Sequence, residues 1–335
     1  MLHPRVGGAY YQIGFREGSF FRRRGLNVPT PSKERAEFAR GCESEIGRIF
    51  PELLDEMAGF ADGCQAPKED TMAFVLGNAT FGIGTTACSV FAAANGPDVV
   101  IGRNHDTLYK FRQHLMAYLT CPEGGYRSIG HSDLYTGREG GLNEMGLAVG
   151  MAAVEEREIK PGMNLAHAVR YVLDKCGGVD EAIGALSDMR HTTANNFLLV
   201  DKKGNMAVVE AAPGRVRTRE PEERKGFIVC TNHFLHPDML DRENREKRCW
   251  DSEVRYNAIH AALEGRKGKV SVEDAQAILS DHSGHVCFHD KDGGLGTLWS
   301  VVAVPARSRV YRAEGHPCRN KYREDFRLER AIGLR

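Results

Sequence analysis

The 335-residue chain is 41% hydrophobic, enough to bury one large core or two modest ones. Its 45 lysines and arginines balance 45 aspartates and glutamates, so no bulk field draws it to nucleic acid or to an anionic membrane. No segment approaches the roughly 18 apolar residues of a membrane span, the amino terminus carries no basic-then-apolar run, and nine cysteines without a Cys-x-x-Cys pair read as reduced thiols, so the expected location is the cytoplasm.

From Ser32 to about Gly63 the pattern is helical: Phe38, Ile46, Ile49, Leu53, Leu54, Met57 and Phe60 recur at three- and four-residue steps, with Pro51 interrupting. A further helix follows Pro67. After the small-residue stretch Gly82 to Ala87 the texture turns to strands, with Cys88 to Ala92, an Asn95-Gly96 turn and Val99 to Gly102 reading as a hairpin. More strands are expected over Leu115 to Thr120, Gly146 to Val154, Phe197 to Val200, Ala207 to Ala211, Phe227 to Thr231 and Leu298 to Val304. The short turns between many of them, such as Lys202-Lys203-Gly204-Asn205, point to antiparallel sheets. Helices over Asn164 to Cys176, Val179 to Met189, Asp251 to Leu263 and Val272 to Asp281 each carry an apolar stripe suited to covering a sheet. The economical arrangement is an α+β sandwich of two antiparallel sheets between helical layers. Neither a phosphate-cradling loop nor a dinucleotide fingerprint is present.

The chemistry begins at Ala87-Cys88-Ser89-Val90-Phe91, followed one hairpin later by Gly102-Arg103-Asn104-His105-Asp106. Further on come Gly141-Leu142-Asn143-Glu144-Met145-Gly146-Leu147, Asn196 to Asp201 with Val209-Glu210, and Thr231-Asn232-His233-Phe234. In this order the segments resemble the choloylglycine hydrolase, penicillin V acylase and isopenicillin N acyltransferase group of N-terminal-nucleophile cysteine enzymes. The stretch before Cys88, including Tyr10-Tyr11-Gln12-Ile13-Gly14, looks closest to the acyltransferase branch with its long propeptide. The resemblance implies a four-layer αββα fold, a mostly helical propeptide over 1–87 and a catalytic domain over 88–335. It also implies self-cleavage between Ala87 and Cys88, with the two pieces staying associated and a homo-oligomer left open.

A cysteine at a new amino terminus carries its own base. Its α-amine has a reference pKa of about 8 and its thiol one of about 8.5, so the two can share a proton at neutral pH. Asp106 is expected to hold the ammonium form, and Arg103 to favour the thiolate and position a polar group of the substrate. Their offsets from Cys88 suit a single returning hairpin. By the resemblance, Asn232 supplies an oxyanion-hole amide and Arg255 matches a substrate-site arginine of the hydrolase branch. Ala153 stands where bile-salt hydrolases have a second site asparagine, which argues against bile-salt activity.

Taken singly, each residue also has a plain structural reading. Cys88 fits a small buried hydrophobe, Arg103 and Asp106 a surface ion pair, and Asn232 a turn cap. The His282-Ser283-Gly284-His285-Val286-Cys287-Phe288-His289 run is dense in metal-ligand types, but its spacing matches no finger or ribbon, so neither metal nor cofactor is expected. The expected function is cleavage or transfer of an acyl group from a small-molecule linear amide or thioester through an acyl-Cys88 intermediate. The alternatives are an acyl-CoA-dependent acyltransferase rather than a hydrolase, and a non-catalytic binding protein that uses the histidine cluster for metal.

Overall fold

A computed structural model describes residues 1–81, 87–222, 225–247, 251–266, 269–290 and 292–332. Most of the stretch expected to supply a small, flexible scissile turn, 82–86, lies outside the described residues. Among the described residues, no helix is long and apolar enough to cross a membrane.

Strand β1 (Arg5–Gly8) leads into helices α1 (Tyr10–Arg23), α2 (Lys33–Ile49), α3 (Glu52–Cys64) and α4 (Lys68–Phe81). Ser32 caps α2 by accepting from the Arg35 amide, and Pro51, with no amide hydrogen to continue α2, separates it from α3. Strands β2 (Ala87–Asn95) and β3 (Asp98–Leu108) form a hairpin whose turn needs Gly96 at φ +64°. Strands β4 (Met116–Pro122), β5 (Ser128–Ser132), β6 (Gly140–Asn143) and β7 (Leu147–Ala153) follow. Helices α5 (Leu165–Lys175), capped by Asn164, and α6 (Val179–Asp188) precede β8 (Asn195–Asp201), β9 (Met206–Ala212), β10 (Arg215–Arg219) and β11 (Phe227–Cys230). The chain closes with α7 (Ser252–Glu264), α8 (Val272–Leu279), β12 (His289–Asp290), β13 (Leu295–Val304), β14 (Arg309–Glu314), β15 (Arg323–Glu324) and α9 (Arg327–Ile332).

One sheet has eight strands in the order β1-β4-β5-β6-β7-β8-β9-β10, and the other runs β11-β2-β3-β13-β14-β15 with β12 beside β13. Apolar side chains from the facing surfaces meet between them, Val90, Ala92 and Ile101 against Ile129, Leu142, Ala148 and Leu198. Helices α7 and α8 bury Ile259, Leu263, Ala275 and Leu279 on the outer face of the second sheet. The first sheet is covered by α5 and α6 together with the helices that precede Cys88, in one continuous core. This is the four-layer αββα arrangement.

One pairing departs from the antiparallel expectation: β1 joins β4 in parallel, with Arg5 opposite Leu119 and Gly8 opposite Pro122. Residues ahead of Cys88 thus supply an edge strand to the sheet. Helices α1 and α3 cross at backbone contact: a Cβ on Gly14 would lie 1.8 Å from the Glu56 carbonyl oxygen, and one on Gly59 2.0 Å from that of Tyr11. Beneath this crossing, Arg170 pairs with Glu56 at 3.2 Å and with Asp174 at 2.8 Å, while Arg138 reaches Glu17 at 3.5 Å. All five side chains are buried, and the Glu56–Arg170 and Glu17–Arg138 pairs join the first 87 residues to the remainder.

Candidate active site

Cys88 is the second residue of β2, one strand in from the β11 edge of its sheet, and 1% exposed. Its three polar points are each held by a different group. The backbone N–H donates to Asn232 Oδ1 at 2.9 Å, the carbonyl accepts from Arg255 Nη1 at 2.6 Å, and the sulfur accepts from Arg103 Nη2 at 3.3 Å. Asn232 lies two residues past β11, the strand that pairs with β2, so its arrival beside Cys88 follows from the sheet order. Its amide orientation is fixed chemically, because both the Cys88 N–H and Arg255 Nη2 (2.8 Å) can only donate, which requires the oxygen there. The Asn232 Nδ2 donates instead to the Ala153 carbonyl at 2.7 Å.

Arg103 and His105 sit on β3 opposite Val90 and Cys88, and the two-residue period turns both side chains to the same face as the thiol. Arg103 Nε is anchored on the Met151 carbonyl at 3.0 Å and the guanidinium covers the Trp299 ring, whereas Nη1 is buried with no hydrogen-bond partner among the described residues. His105 Nδ1 lies 3.8 Å from the Cys88 sulfur, and the imidazole stacks on Trp299. Two buried carboxylates face this ring, Asp133 at 3.4 Å from Nε2 and Glu139 at 3.6 Å from Nδ1. Burial alone would lower the His105 pKa, but Glu139 and Asp133 outweigh it and hold the ring well above its ordinary value. Two acids next to one base leave one proton over, and burial together with Asp133 pushes Glu139 up to about 7. The sulfur is therefore flanked by the Arg103 guanidinium and by an imidazole whose protonated form the neighbouring acids favour.

Asp106 projects to the other face of β3, at the register position of Ala87. Its Oδ1 accepts from Thr297 Oγ1, while the buried Oδ2 has no partner among the described residues. Burial raises this carboxyl above the usual carboxylate range, against the lowering pull of Arg255. A small cavity on this face is lined by Ala87, Asp106, Asp251, Arg255, His285 and Phe288.

Arg103, Asn232 and Arg255 thus all contact Cys88, with Asp106 one strand over and on the opposite face. Arg255, expected at the substrate, spends its guanidinium on Cys88, Ser89 Oγ (3.0 Å) and Asn232, which makes it a positioning group. Asp133, Glu139 and Thr297 were not found from sequence: the first two come from the loop between β5 and β6, and no local pattern ties them to Cys88. The histidine cluster gathers Cys318 from outside its own run, a residue that sequence spacing could not connect to it.

The sequence model of the family described as acyl-coenzyme A:6-aminopenicillanic acid acyl-transferase matches residues 93–319, starting just past Cys88. Among solved structures, the chain is similar to a Caenorhabditis elegans ortholog of N-acylethanolamine-hydrolyzing acid amidase, at 16% identity and a TM-score of 0.50, covering 65% of this chain and 93% of that one. It is also similar to a mutant form of conjugated bile acid hydrolase from Clostridium perfringens (12% identity, TM-score 0.48, 71% and 96% covered). Penicillin V acylase from Agrobacterium tumefaciens gives 18% identity, a TM-score of 0.46, and 68% and 83% covered. At such identity the amidase ortholog speaks for the fold alone, a sandwich of two sheets between helical layers. With more than half of its length matched by the family model, the chain belongs to the acyl-coenzyme A:6-aminopenicillanic acid acyl-transferase family and is an enzyme of the amide-hydrolase and acyltransferase class.

Proposed function

We propose that the chain cuts itself between Ala87 and Cys88 and then cleaves or transfers an acyl group from a linear amide or thioester through an acyl-Cys88 intermediate. The observation that carries this reading is the three-point hold on Cys88, with Asn232 on its nitrogen, Arg255 on its carbonyl and Arg103 on its sulfur. In processing, the sulfur attacks the Ala87 carbonyl carbon, the peptide C–N bond breaks in favour of a thioester, and water hydrolyses that thioester. The freed nitrogen becomes an α-amine. The unpartnered Asp106 Oδ2, set opposite Ala87, is suited to accept from that ammonium.

In turnover the amine takes the thiol proton, the sulfur attacks the substrate carbonyl, and the proton passes to the leaving nitrogen. Arg103 and the His105 imidazolium stabilise negative charge at the sulfur. Asn232 Nδ2 serves the oxyanion by exchanging Ala153 O for the substrate oxygen. Water or an amine then accepts the acyl group, so one intermediate serves a hydrolase and an acyltransferase. His105 is a rival base beside the sulfur, but Glu139 and Asp133 raise its pKa and so favour its protonated form, which makes it a poor proton acceptor. A cavity of about 170 Å³ opens beside Met151, Asp133 and Glu139, the groups that flank Arg103 and His105, and suits an acyl part about as large as a benzene ring.

After the cut, the β1–β4 pairing and the Glu56–Arg170 and Glu17–Arg138 pairs keep both pieces in one body. The test is intact mass with amino-terminal sequencing of the parent and of Cys88→Ala, combined with thiol trapping of an acyl-enzyme from a panel of acyl amides. Two fragments, the larger beginning at Cys88, are expected from the parent and one inactive chain from the variant. A parent that stays uncut yet turns over an amide would remove the terminal-amine mechanism.

A further inference from the structure

The turn after α8 and the segment after β14 converge. His282 and Cys287 lie on the first, His289 opens β12, and Cys318 comes from the second. One ligand atom from each of the four lies within 4.8 Å of all the others. His289 Nε2 is 3.2 Å from Cys318 Sγ and 3.4 Å from Cys287 Sγ. Zinc–sulfur bonds of about 2.3 Å and zinc–nitrogen bonds of about 2.0–2.1 Å in a tetrahedron set the ligand atoms roughly 3.3–3.8 Å apart. The two sulfur–nitrogen contacts already approach that spacing. We propose that His282, Cys287, His289 and Cys318 form a structural Zn²⁺ site of the Cys₂His₂ type.

The chemistry of the set agrees with the geometry. Two thiolates and two neutral imidazoles balance the dication's charge, and soft sulfur with imidazole selects zinc over the oxygen-loving Mg²⁺ or Ca²⁺. Binding releases one proton from each thiol. With four protein ligands the coordination shell is closed, so the ion holds structure and activates no water. The backbone is shaped for the purpose before metal arrives. Asp281 Oδ1 and Oδ2 accept from the Ser283 and Gly284 amides, and the Cys287 N–H donates to the Asp281 carbonyl at 2.7 Å. On the other side, the Arg319 and Asn320 amides donate to the His316 carbonyl, closing the turn that presents Cys318. The His316 ring stacks on His289 at 3.8 Å and fixes its plane.

The ion would replace a long chain detour by a direct tie, since Cys318 lies 29 residues beyond His289. Between the ligands Cys287 and His289, Phe288 exchanges two hydrogen bonds with Thr297, each 2.9 Å, and Thr297 Oγ1 holds Asp106. The tie therefore braces the start of β13, whose Thr297 holds Asp106. This revises the sequence expectation of no metal, which treated the histidine run as a local cluster; the fourth ligand comes from elsewhere in the fold.

The full chain is purified under reducing conditions, incubated with zinc chloride or cobalt chloride, desalted and assayed for metal by mass spectrometry. One equivalent per chain is expected, with cobalt giving the visible d–d bands and thiolate charge-transfer absorption of a tetrahedral S₂N₂ centre. Losing even an outer-shell partner costs about 10- to 100-fold in affinity, so Cys318→Ser and His282→Ala should weaken zinc binding by at least about 100-fold. Should a variant fail to fold, alkylation of the parent decides instead: zinc should protect Cys287 and Cys318, located by peptide mapping, and a chelator should expose them. A parent that binds no equivalent, variants that bind as the parent does, no protection of these two thiols, or a Cys287–Cys318 disulfide in the reduced protein would each overturn the assignment.

Discussion

Two clusters of buried charge in the protein use that charge differently. Around Cys88, Arg103, His105, Asp133, Glu139 and Asp106 converge on one backbone position and leave two polar atoms unspent, Arg103 Nη1 and Asp106 Oδ2. Under the amino-terminal helices, Glu17 and Glu56 pair with Arg138 and Arg170 across the junction between the first 87 residues and the rest, Asp174 backs Arg170, and there is no nucleophile among them. The side chains of both clusters are buried, so burial alone does not mark a reactive site. Unspent polar atoms occur in both, since Arg138 Nε, Glu17 Oε2 and Asp174 Oδ1 of the second have no partner among the described residues, so what distinguishes the first cluster is the thiol that its side chains surround.

The contrast can be broken first at the staple. Glu56→Ala leaves Arg170 with a lost partner in the interior and should cost about 3–5 kcal/mol of stability, read as a lowered melting temperature, while turnover per folded molecule stays at the parent level. Unchanged stability would mean that water reaches this pair. Asn232→Ala should act the other way, lowering acylation by roughly 10²- to 10³-fold in single-turnover kinetics with little effect on substrate binding. Full turnover by that variant would strip Asn232 of its role.

A smaller effect separates steric from electrostatic stapling. Gly59→Ala gains about 0.5–1 kcal/mol of helix propensity but drives a Cβ to 2.0 Å from a carbonyl oxygen. Overpacking of about 1–3 kcal/mol wins, so the variant should melt lower. Gly184→Ala on α6 meets nothing within 4 Å and should melt slightly higher.

The smallest expected effect is on pH dependence, and both clusters contribute to it. Burial pushes Glu17 and Glu139 each up to about 7 from 4.5. A raised carboxyl keeps its proton when folded, so its contribution is full below about pH 4.5 and is lost as pH rises through about 7. Glu139 feels Asp133, His105 and Arg103, and Glu17 feels Arg138, Glu56 and Arg170. Glu139→Gln and Glu17→Gln should each flatten the fall of stability across that window in denaturant titrations, and only Glu139→Gln should also move the pH–rate profile. A profile moved equally by both would dissolve the distinction between the two clusters.

Much of this was legible in the sequence where local pattern carries the information. The α2–α3 break at Pro51, the β2–β3 hairpin at Asn95-Gly96, and the offsets of Arg103 and Asp106 from Cys88 are all short-range. Helix α1 escaped notice because Gly14 and Gly18 weaken its propensity; they are there for the crossing with α3, which only the fold reveals. Strands β5 and β6 are short and glycine-bearing, and their pairing is set by neighbours in the sheet. The approach of Asp133 and Glu139 to His105, and of Cys318 to the histidine run, depends on segments far apart in the chain meeting in space.

The parallel seating of β1 against β4 has a thermodynamic consequence. If the Ala87–Cys88 bond is cut, an edge strand and four helices belong to one polypeptide and the sheet they complete belongs to another. Unfolding then ceases to be unimolecular and becomes a dissociation, so the cut protein's melting temperature should rise with its concentration, whereas that of the uncut Cys88→Ala chain should not.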